Sequence, residues 1–433
     1  MQPSSQPVIV VGAGIAGLVC AIELHRAGRS VLVLEAAADV GGRVRSSLVD
    51  GIVVDHGFQV LFTAYPTLGA YLDLDALLLR KFLPAARIVR DGKVSLIGDA
   101  LRDPALLLDT VLARAVSLGD KLRLLALRRF ASHIAIDDCF SAQFAGVSTR
   151  EFLKSRGFGD AVIDGFFAPF YGGILLDRTL STSASILLFT FKMLAAGDTV
   201  VPARGMGAIS AQLAAQLPRG SVRIGVGVKS LIANDGRAAG VTLDDGRHFY
   251  ASDVVLATEP LAAAMLANTV GVKLAASEGA RGCTTLYYTT HRSPLPGKAL
   301  WLNAEPNAVI SHAVTITDVA PEYASGRQLL VATALGEAAT LPDDRLDEAA
   351  HREIAMMASA SGDHALPLLT RIAIWRVPYA QFAQPPGWRD QRPTIACGIP
   401  RLWRASEVLH SSSLEGAARG GQAAARALLQ LWL

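Results

Sequence analysis

Cysteine is scarce in this sequence. The 433 residues include four cysteines, which lie far apart and show neither a C-x-x-C pair nor the spacing of metal ligands: Cys20, Cys139, Cys283 and Cys397. The pattern gives no support for a disulfide framework or a cysteine-ligated metal, and we predict no metal cofactor. We expect the four thiols to be free and buried.

An excess of charge of one sign and long apolar runs are also lacking. The formal net charge is +3 and the basic residues are dispersed, so the sequence has no electrostatic footprint for nucleic acid. Although 51% of the residues are hydrophobic and the mean hydropathy is +0.35, no uninterrupted apolar run approaches the roughly 20 residues that span a bilayer. We predict no nucleic-acid partner and no membrane-spanning helix, while a surface that touches a membrane remains an alternative.

The N-terminus has neither the cationic nor the apolar region of a secretory signal. Met1 to Pro7 is short and polar and leads directly into an apolar run. We therefore expect a cytoplasmic protein. At 433 residues the chain is long enough for two or three domain-sized cores.

The strongest local pattern lies near the N-terminus. Val8 to Val11 predicts a buried strand, a G-x-G-x-x-G turn follows at residues 12–17, and the apolar positions from Leu18 to His25 have helical spacing. A second apolar run, Val31 to Leu34, ends at Glu35. This order of strand, turn, helix, strand and acid predicts a βαβ dinucleotide-binding unit.

Each glycine of the turn has a physical role in such a unit. Gly12 allows the tight turn, Gly14 lets the backbone approach a pyrophosphate, and Gly17 lets the helix pack closely on the strand. The helix N-terminus then offers free N–H groups to an anion, and Glu35 accepts hydrogen bonds from ribose hydroxyls. The alternative is a tight strand-to-helix turn without a ligand.

The residues after Glu35 favour a flavin as the dinucleotide that this unit binds. Val40 to Ser46 reads V-G-G-R-V-R-S, and together with the fingerprint it resembles the amine oxidase and phytoene desaturase superfamily of FAD enzymes. The resemblance implies that Arg43 lies beside the pyrophosphate and the isoalloxazine, where a permanent cation suits two phosphates. An exposed turn with a solvated Arg43 is the alternative.

Three later segments resemble motifs of the same superfamily. Asp55 and Gly57 match the D-x-G pattern of the segment that passes the flavin ring, and residues 253–260 match a strand that ends at the cofactor. Residues 394–417 resemble the closing strand and helix. Ile399 occupies the position of the usual acid there, so the resemblance implies that this carboxylate contact is missing or supplied elsewhere.

The resemblance implies a set of FAD-contacting residues. They are Gly12, Gly14, Ile15, Ala16, Gly17, Glu35, Ala36, Gly41, Gly42, Arg43, Gly57, Phe58, Gln59, Val228, Thr258, Gly398, Ile399, Ser413, Leu414, Glu415 and Ala417. FAD is expected to be non-covalent, because no cysteine lies near Tyr379, where some amine oxidases tether the flavin. Catalytic residues stay unassigned; the candidates are His56, Tyr171 and Tyr379, with a hydrogen-bonded structural role as the alternative for His56.

We expect an α/β fold with a discontinuous Rossmann-type, glutathione reductase-like FAD-binding domain and a substrate domain of mixed β-sheet plus a helical insertion. The predicted FAD-binding domain comprises residues 1–75, 198–265 and 386–433. The predicted substrate domain comprises the helical insertion, residues 76–197, and a β-rich part, residues 266–385.

Leucines with helical spacing fill residues 101–125 of the insertion, next to Lys121, Arg123, Arg128 and Arg129. A solvated basic face over a core helix is favoured for this segment. An amphipathic surface that rests on an anionic membrane is the alternative, and it would give a peripheral membrane contact.

Two apolar segments, Phe166 to Leu176 and Ile186 to Leu194, suit a lipophilic cavity, with ordinary core packing as the alternative. Trp375 to Ala380 resembles the phytoene desaturase, protoporphyrinogen oxidase and hydroxysqualene dehydroxylase branch. The resemblance implies hydride transfer from a lipophilic, isoprenoid- or carotenoid-like substrate to flavin N5, with oxygen or quinone as acceptor. A flavin amine oxidase for a small amine or polyamine and a non-catalytic flavoprotein are the alternatives.

Overall fold

The computed structural model describes residues 6–113, 116–275 and 279–431. Residues 1–5, most of the polar N-terminal segment, lie outside this part. The strands in chain order are β1 (Val8–Val11), β2 (Val31–Leu34), β3 (Ser46–Val49), β4 (Ile52–Asp55), β5 (Leu61–Phe62), β6 (Leu79–Lys81), β7 (Ala85–Arg90), β8 (Lys93–Gly98), β9 (Thr199–Pro202), β10 (Val222–Arg223), β11 (Val228–Asn234), β12 (Arg237–Leu243), β13 (His248–Tyr250), β14 (Asp253–Leu256), β15 (Ala280–Thr290), β16 (Leu300–Asn303), β17 (Ile310–Thr315), β18 (Gln328–Leu335), β19 (Thr370–Phe382) and β20 (Leu402–Arg404).

The helices connect these strands and fill the insertion. In chain order they are α1 (Ile15–Arg26), α2 (Pro66–Gly69), α3 (Leu107–Leu112), α4 (Leu118–His133), α5 (Ala142–Ala145), α6 (Thr149–Ser155), α7 (Asp160–Val162), α8 (Ala168–Leu175), α9 (Ala184–Ala196), α10 (Gly207–Ala214), α11 (Pro260–Asn268), α12 (Ile316–Val319), α13 (Asp343–Ala360) and α14 (Leu414–Gln430).

A five-stranded parallel sheet in the order β10-β2-β1-β14-β20 forms the first layer. Its central strands are buried along their whole length, which explains why they read as continuous apolar runs rather than alternating ones. Because the strands are parallel, their carboxyl ends meet at one edge, where ligands of such sheets bind. The α/β, Rossmann-type class is thereby confirmed.

The two longest helices that cover this sheet, α1 and α14, pack backbone to backbone. A Cβ at Gly421 of α14 would lie 2.2 Å from the carbonyl oxygen of Ala16 in α1, so only glycine permits this approach. This close packing holds the C-terminal helix α14 against the N-terminal helix α1.

A seven-stranded sheet in the order β19-β15-β18-β17-β16-β7-β8 forms the second layer, with α13 packed against it. The predicted β-rich part, residues 266–385, supplies its first five strands. The prediction of a helical insertion from residue 76 is wrong for its first part, because β7 and β8 extend the sheet through parallel pairing of β7 with β16. Helices of the insertion begin only after β8.

The insertion carries exposed leucines on α3, α4 and the turns before them. The exposed apolar side chains are Leu101, Leu107, Leu108, Val111, Leu112, Leu118, Leu122 and Leu125. α4 packs on the core through Leu127 and Ala131, as the favoured interpretation requires, but its solvated face is not purely basic, because it also exposes Leu118, Leu122 and Leu125. No helix in the described part of the chain combines the length and the apolarity needed to cross a membrane.

Candidate active site

A cavity of about 1270 Å³ runs from the carboxyl ends of β1, β2 and β14 to α3 and α4. It exceeds the roughly 300–1,000 Å³ of an ordinary ligand pocket, as expected where a large cofactor and a substrate share one space. Among the described residues no group of three or more His, Cys, Asp or Glu side chains is placed to hold a metal ion.

Most of the predicted FAD contacts line this cavity. They are Gly12, Gly14, Ile15, Ala16, Glu35, Ala36, Gly41, Gly42, Arg43, Gly57, Phe58, Gln59, Val228, Thr258, Ser413, Leu414 and Ala417. Four others lie off its surface: Gly17, Gly398, Ile399 and Glu415. Residues from six separate stretches of sequence therefore line one cavity at the carboxyl edge of the parallel sheet.

The N-terminus of α1 opens into the cavity. Gly14 is its N-cap, and no side chain caps the N–H groups of the first turn. A Cβ at Gly14 would meet no atom within 4 Å, whereas a Cβ at Gly17 would lie 2.1 Å from the carbonyl oxygen of Gly12. Gly12 has a φ of +105°. Gly12 and Gly17 thus shape the turn, and Gly14 leaves space beside free N–H donors for an anion.

Glu35 lies at the end of β2 on the cavity wall. Its carboxylate accepts hydrogen bonds from the backbone N–H groups of Ala13 (2.8 Å) and Ala37 (2.9 Å). A carboxylate has about four acceptor sites, so sites remain for ribose hydroxyls. The two backbone donors hold the carboxylate beside the glycine turn.

We expect Glu35→Gln to weaken FAD binding by about 1–3 kcal/mol, because the amide loses the charge and one acceptor oxygen. The measurement is a fluorescence titration of the apoprotein with FAD. Glu23→Gln, at a partly exposed carboxylate on α1, is the control and is expected to bind FAD normally. An unchanged FAD dissociation constant in Glu35→Gln would place Glu35 away from the ribose.

Arg43 is held by a buried carboxylate. One guanidinium nitrogen lies 2.6 Å from Oε1 of Glu407 and another donates to the carbonyl oxygen of Ala380 at 3.0 Å, while the group stacks 5.3 Å from the centre of the Tyr379 ring. Burial alone would raise the pKa of Glu407, but the Arg43 cation and its hydrogen bond outweigh this effect and lower it. The pair is therefore ionised at neutral pH.

The closing strand lies later in the chain than the sequence pattern indicates. Residues 394–399 are not a strand; β20 pairs in parallel with β14 and leads to Glu407, which lines the cavity. The assignment of Ile399 to the acid position is thus wrong, and Glu407 is the acid that follows the closing strand. The position of Glu407 shortly after the apolar pair Leu402-Trp403 is the sequence signal that could have located this acid.

The N-terminus of α14 also faces the cavity, through Ser413, Leu414 and Ala417. The Ser413 hydroxyl accepts from the Gly416 N–H at 2.9 Å and caps the helix. Glu415 points elsewhere: its carboxylate is 1% exposed and accepts from the backbone N–H groups of Thr67 and Leu68 at the start of α2. The Glu415 side chain therefore has a structural role, and the predicted cofactor contact of this residue stays a prediction for its backbone N–H alone.

Two buried polar atoms on the cavity wall fit a bound polar group. Oγ1 of Thr258 and Oε1 of Gln59 have no hydrogen-bond partner among the described residues. Buried polar atoms are seldom left unpaired, so such atoms mark a place where a ligand supplies the partner. With two helix N-termini, the acid Glu35 and the cation Arg43, these residues suit a dinucleotide with a polar ring system.

The other end of the cavity is mainly apolar, although Asp99, Arg102, Lys121 and Arg128 also belong to its lining. Both predicted apolar segments contribute, as do α3, α4 and the strand β8, through Phe166, Phe170, Tyr171, Ile174, Leu175, Ile186, Phe189, Phe191, Leu194, Ile97, Leu107, Val111, Leu122, Leu124 and Leu125. The rings of Phe166 and Phe170 stack at 5.9 Å. The wall thus favours a lipophilic molecule over a hydrated one.

The three candidates for a chemical role differ in position. Tyr171 and His56 line the cavity, and Tyr379 does not. Both ring nitrogens of His56 have partners, Arg45 at 3.2 Å and Ser47 at 2.8 Å, and its ring stacks 3.6 Å from that of Trp375. Burial and the Arg45 cation lower the pKa of His56 to about 4. These contacts support the structural alternative for His56.

The family model for flavin containing amine oxidoreductases matches residues 15–429, nearly the whole chain. The chain belongs to this family. It is accordingly an FAD-dependent oxidoreductase. The family includes enzymes with different substrates, so membership leaves the substrate to be argued from the cavity.

Three relatives illustrate this range. Protoporphyrinogen oxidase 2 of Arabidopsis thaliana is 32% identical over 174 residues, which cover 39% of this chain and 32% of that protein. A provisionally assigned protoporphyrinogen oxidase from Exiguobacterium sp. 255-15 has a TM-score of 0.74 at 18% identity, with 98% of this chain and 99% of that chain covered. Putrescine oxidase bound to putrescine has a TM-score of 0.68 at 19% identity and covers 98% and 99% of the two chains. The match spans about a third of the curated relative, and the solved structures establish the fold alone.

Proposed function

We propose that this oxidoreductase takes hydride from a lipophilic, isoprenoid- or carotenoid-like substrate, with oxygen or quinone as the final acceptor. The apolar end of the cavity is the observation that carries the proposal. Bound FAD supplies the hydride acceptor at N5. The chain positions a substrate carbon with the apolar wall, and the buried rings of Phe166 and Tyr171 in this wall exclude water.

A small amine suits this wall less well. Two carboxylates of the cavity lining are already engaged: Glu407 by Arg43 at the cofactor end, and Asp99 by Arg128 at 2.7 Å. Glu35 accepts from two backbone N–H groups at the cofactor end, and Glu259, the remaining acid of the lining, is exposed to solvent. An ammonium ion on the apolar wall would lose its hydration without a compensating charge. An amine oxidase is therefore the second candidate.

The test is anaerobic reduction of the flavin by a panel of compounds. Detergent-dispersed isoprenoids, including an alcohol and a hydrocarbon, are expected to bleach the flavin absorbance, and benzylamine and putrescine are not. Bleaching by an amine alone would support the amine oxidase. No bleaching by any compound, with FAD fully bound, would support a non-catalytic flavoprotein.

We further propose that the FAD-binding domain (residues 1–75, 198–265 and 386–433) is cytoplasmic and that the insertion contacts a membrane surface. The exposed leucines of α3 and α4 are continuous with the cavity wall, because Leu107, Leu122 and Leu125 belong to both. Arg123 and Arg129 flank them on α4, a composition that suits anionic headgroups. A lipophilic substrate would then reach the cavity from the bilayer.

Vesicle sedimentation tests the membrane contact. The protein is expected to sediment with vesicles of phosphatidylcholine and phosphatidylglycerol. Replacing Leu118 and Leu122 together by glutamate is expected to weaken this binding by about tenfold or more, because two apolar contacts are lost. Glutamate at Leu48 and Leu368, which are 75% and 78% exposed elsewhere on the surface, is the matched control. Equal loss in both double variants would contradict docking through the insertion.

A further inference from the structure

One polar side chain in the mainly apolar end of the cavity has no hydrogen-bond partner among the described residues. His312 lies on β17, is 4% exposed and lines the cavity. Neither nitrogen of its ring has a hydrogen-bond partner among the described residues, and Nδ1 is closed off from solvent. Buried histidines normally satisfy at least one nitrogen, so this ring is an exception that needs a cause.

The surroundings of His312 are shaped to hold the ring. The Phe58 ring lies 5.3 Å away, centre to centre, and a Cβ at Gly173 of α8 would lie 3.2 Å from Nδ1. A larger residue at position 173 would therefore press on the imidazole. Phe58 also belongs to the segment that the family resemblance places at the flavin ring, so His312 lies near the expected reacting end of the cavity.

The ring is neutral at physiological pH. Burial, together with the nearby Arg178 cation, lowers the pKa of His312 to about 4. A neutral imidazole carries its proton on one nitrogen only. Because Nδ1 packs against Gly173 without an acceptor, and an unpaired N–H costs more than an unpaired lone pair, the proton belongs on Nε2. Nε2 is then a hydrogen-bond donor, and since the ring lines the cavity, a bound molecule can reach it.

We infer that His312 binds an oxygen acceptor, a hydroxyl or carbonyl oxygen, of an otherwise lipophilic substrate. This inference rests on the proposed function and narrows the proposed substrate class from lipophilic molecules in general to oxygenated ones. An ammonium group has no lone pair to accept from an N–H donor, and the Arg178 cation that lowers the pKa of His312 would repel it, so the same residue disfavours protonated amines. His312 is thereby a specificity-determining residue.

The experiment compares three probes that share a chain: geranylgeraniol, geranylgeranial and the corresponding hydrocarbon with a methyl group in place of the oxygen function. Their dissociation constants are measured on the FAD-loaded protein by quenching of tryptophan fluorescence. The wild type is expected to bind the alcohol or the aldehyde roughly tenfold more tightly than the hydrocarbon, as one buried hydrogen bond allows. The oxygenated probe with the lower dissociation constant identifies whether His312 binds a hydroxyl or a carbonyl oxygen.

The variants separate recognition from packing. His312→Leu is expected to abolish the preference while keeping hydrocarbon affinity, and His312→Gln, which keeps an N–H donor, is expected to restore part of it. Thr110→Val is the matched control, because the Thr110 hydroxyl also lies on the cavity wall but is already bonded to the backbone of Gly98 at 3.0 Å. Thr110→Val should keep the wild-type preference.

Two outcomes overturn the inference in distinguishable ways. If isoprenoids bind and reduce the flavin but His312→Leu keeps the tenfold preference, His312 does not read the oxygen and the proposed function stands. If no isoprenoid binds or reduces the flavin, the proposed function fails and the inference fails with it.

Discussion

Gly14→Val is expected to fold with wild-type stability and to be purified without FAD. The reason is geometric: Gly14 has an ordinary φ of −74° and a Cβ there meets no protein atom within 4 Å, so the added isopropyl group projects into free space. That space adjoins the N–H groups of the α1 N-terminus. Overlap with a pyrophosphate should cost about 3 kcal/mol or more, roughly a hundredfold in FAD affinity.

The comparison with Gly17→Val makes this result specific. A Cβ at Gly17 would lie 2.1 Å from the Gly12 carbonyl oxygen, so that variant should lose stability as well as cofactor. Urea denaturation of the apoproteins and flavin absorbance of the purified proteins separate the two effects. Normal FAD content in Gly14→Val would mean that the glycine turn does not hold the pyrophosphate.

Glu407→Gln is expected to lower the free energy of unfolding by about 3 kcal/mol at pH 7, because it leaves the Arg43 cation without its charge partner. The expected loss is at the lower end for a buried pair, since the Arg43 side chain is 26% exposed and glutamine keeps an acceptor oxygen. Ile399→Ala, at the position that the sequence pattern assigned to the acid, is the control and should keep FAD.

The stabilisation by the Glu407–Arg43 ion pair depends on pH, and its direction follows from the pKa of Glu407. The pKa of Glu407 is lowered in the folded protein, so its ionised form is favoured by folding, and the stabilisation is present above the ordinary glutamate pKa of about 4.3. It is lost as the pH falls below that value and Glu407 takes up a proton. Wild type and Glu407→Gln should therefore converge in stability at acid pH. A constant difference at every pH would show that the ion pair is not its source.

Local sequence patterns predict the cofactor half of this molecule because each step there is local. The strand, the glycine turn, the helix and Glu35 follow one another within 28 residues, and apolar runs such as Val8 to Val11 report burial directly. The predicted β-rich part, residues 266–385, likewise contains the five strands β15 to β19.

Pairing between distant segments is what the sequence does not show. The closing strand β20 has three residues, and its position is set by pairing with β14. The sequence pattern therefore favours the longer apolar run at residues 394–399 as the closing strand and misses Glu407 as the acid that follows it. β7 and β8 likewise join the second sheet through β16, more than 200 residues later. His312 lies in an apolar strand, and its local sequence does not distinguish it. Its role depends on the packing of α8 and Phe58 around it.

Stopped-flow reduction of the flavin under anaerobic conditions, in wild type and in Phe170→Glu, tests the proposed hydride transfer from a lipophilic substrate. Phe170 lies on the apolar wall, away from the glycine turn, so the variant should keep its FAD while placing an unpaired carboxylate beside the substrate. We expect that an isoprenoid alcohol reduces the wild-type flavin, that benzylamine does not, and that the rate with the alcohol falls at least about tenfold in Phe170→Glu. Rapid reduction by benzylamine, or reduction by the alcohol at the same rate in both proteins, would contradict this proposal.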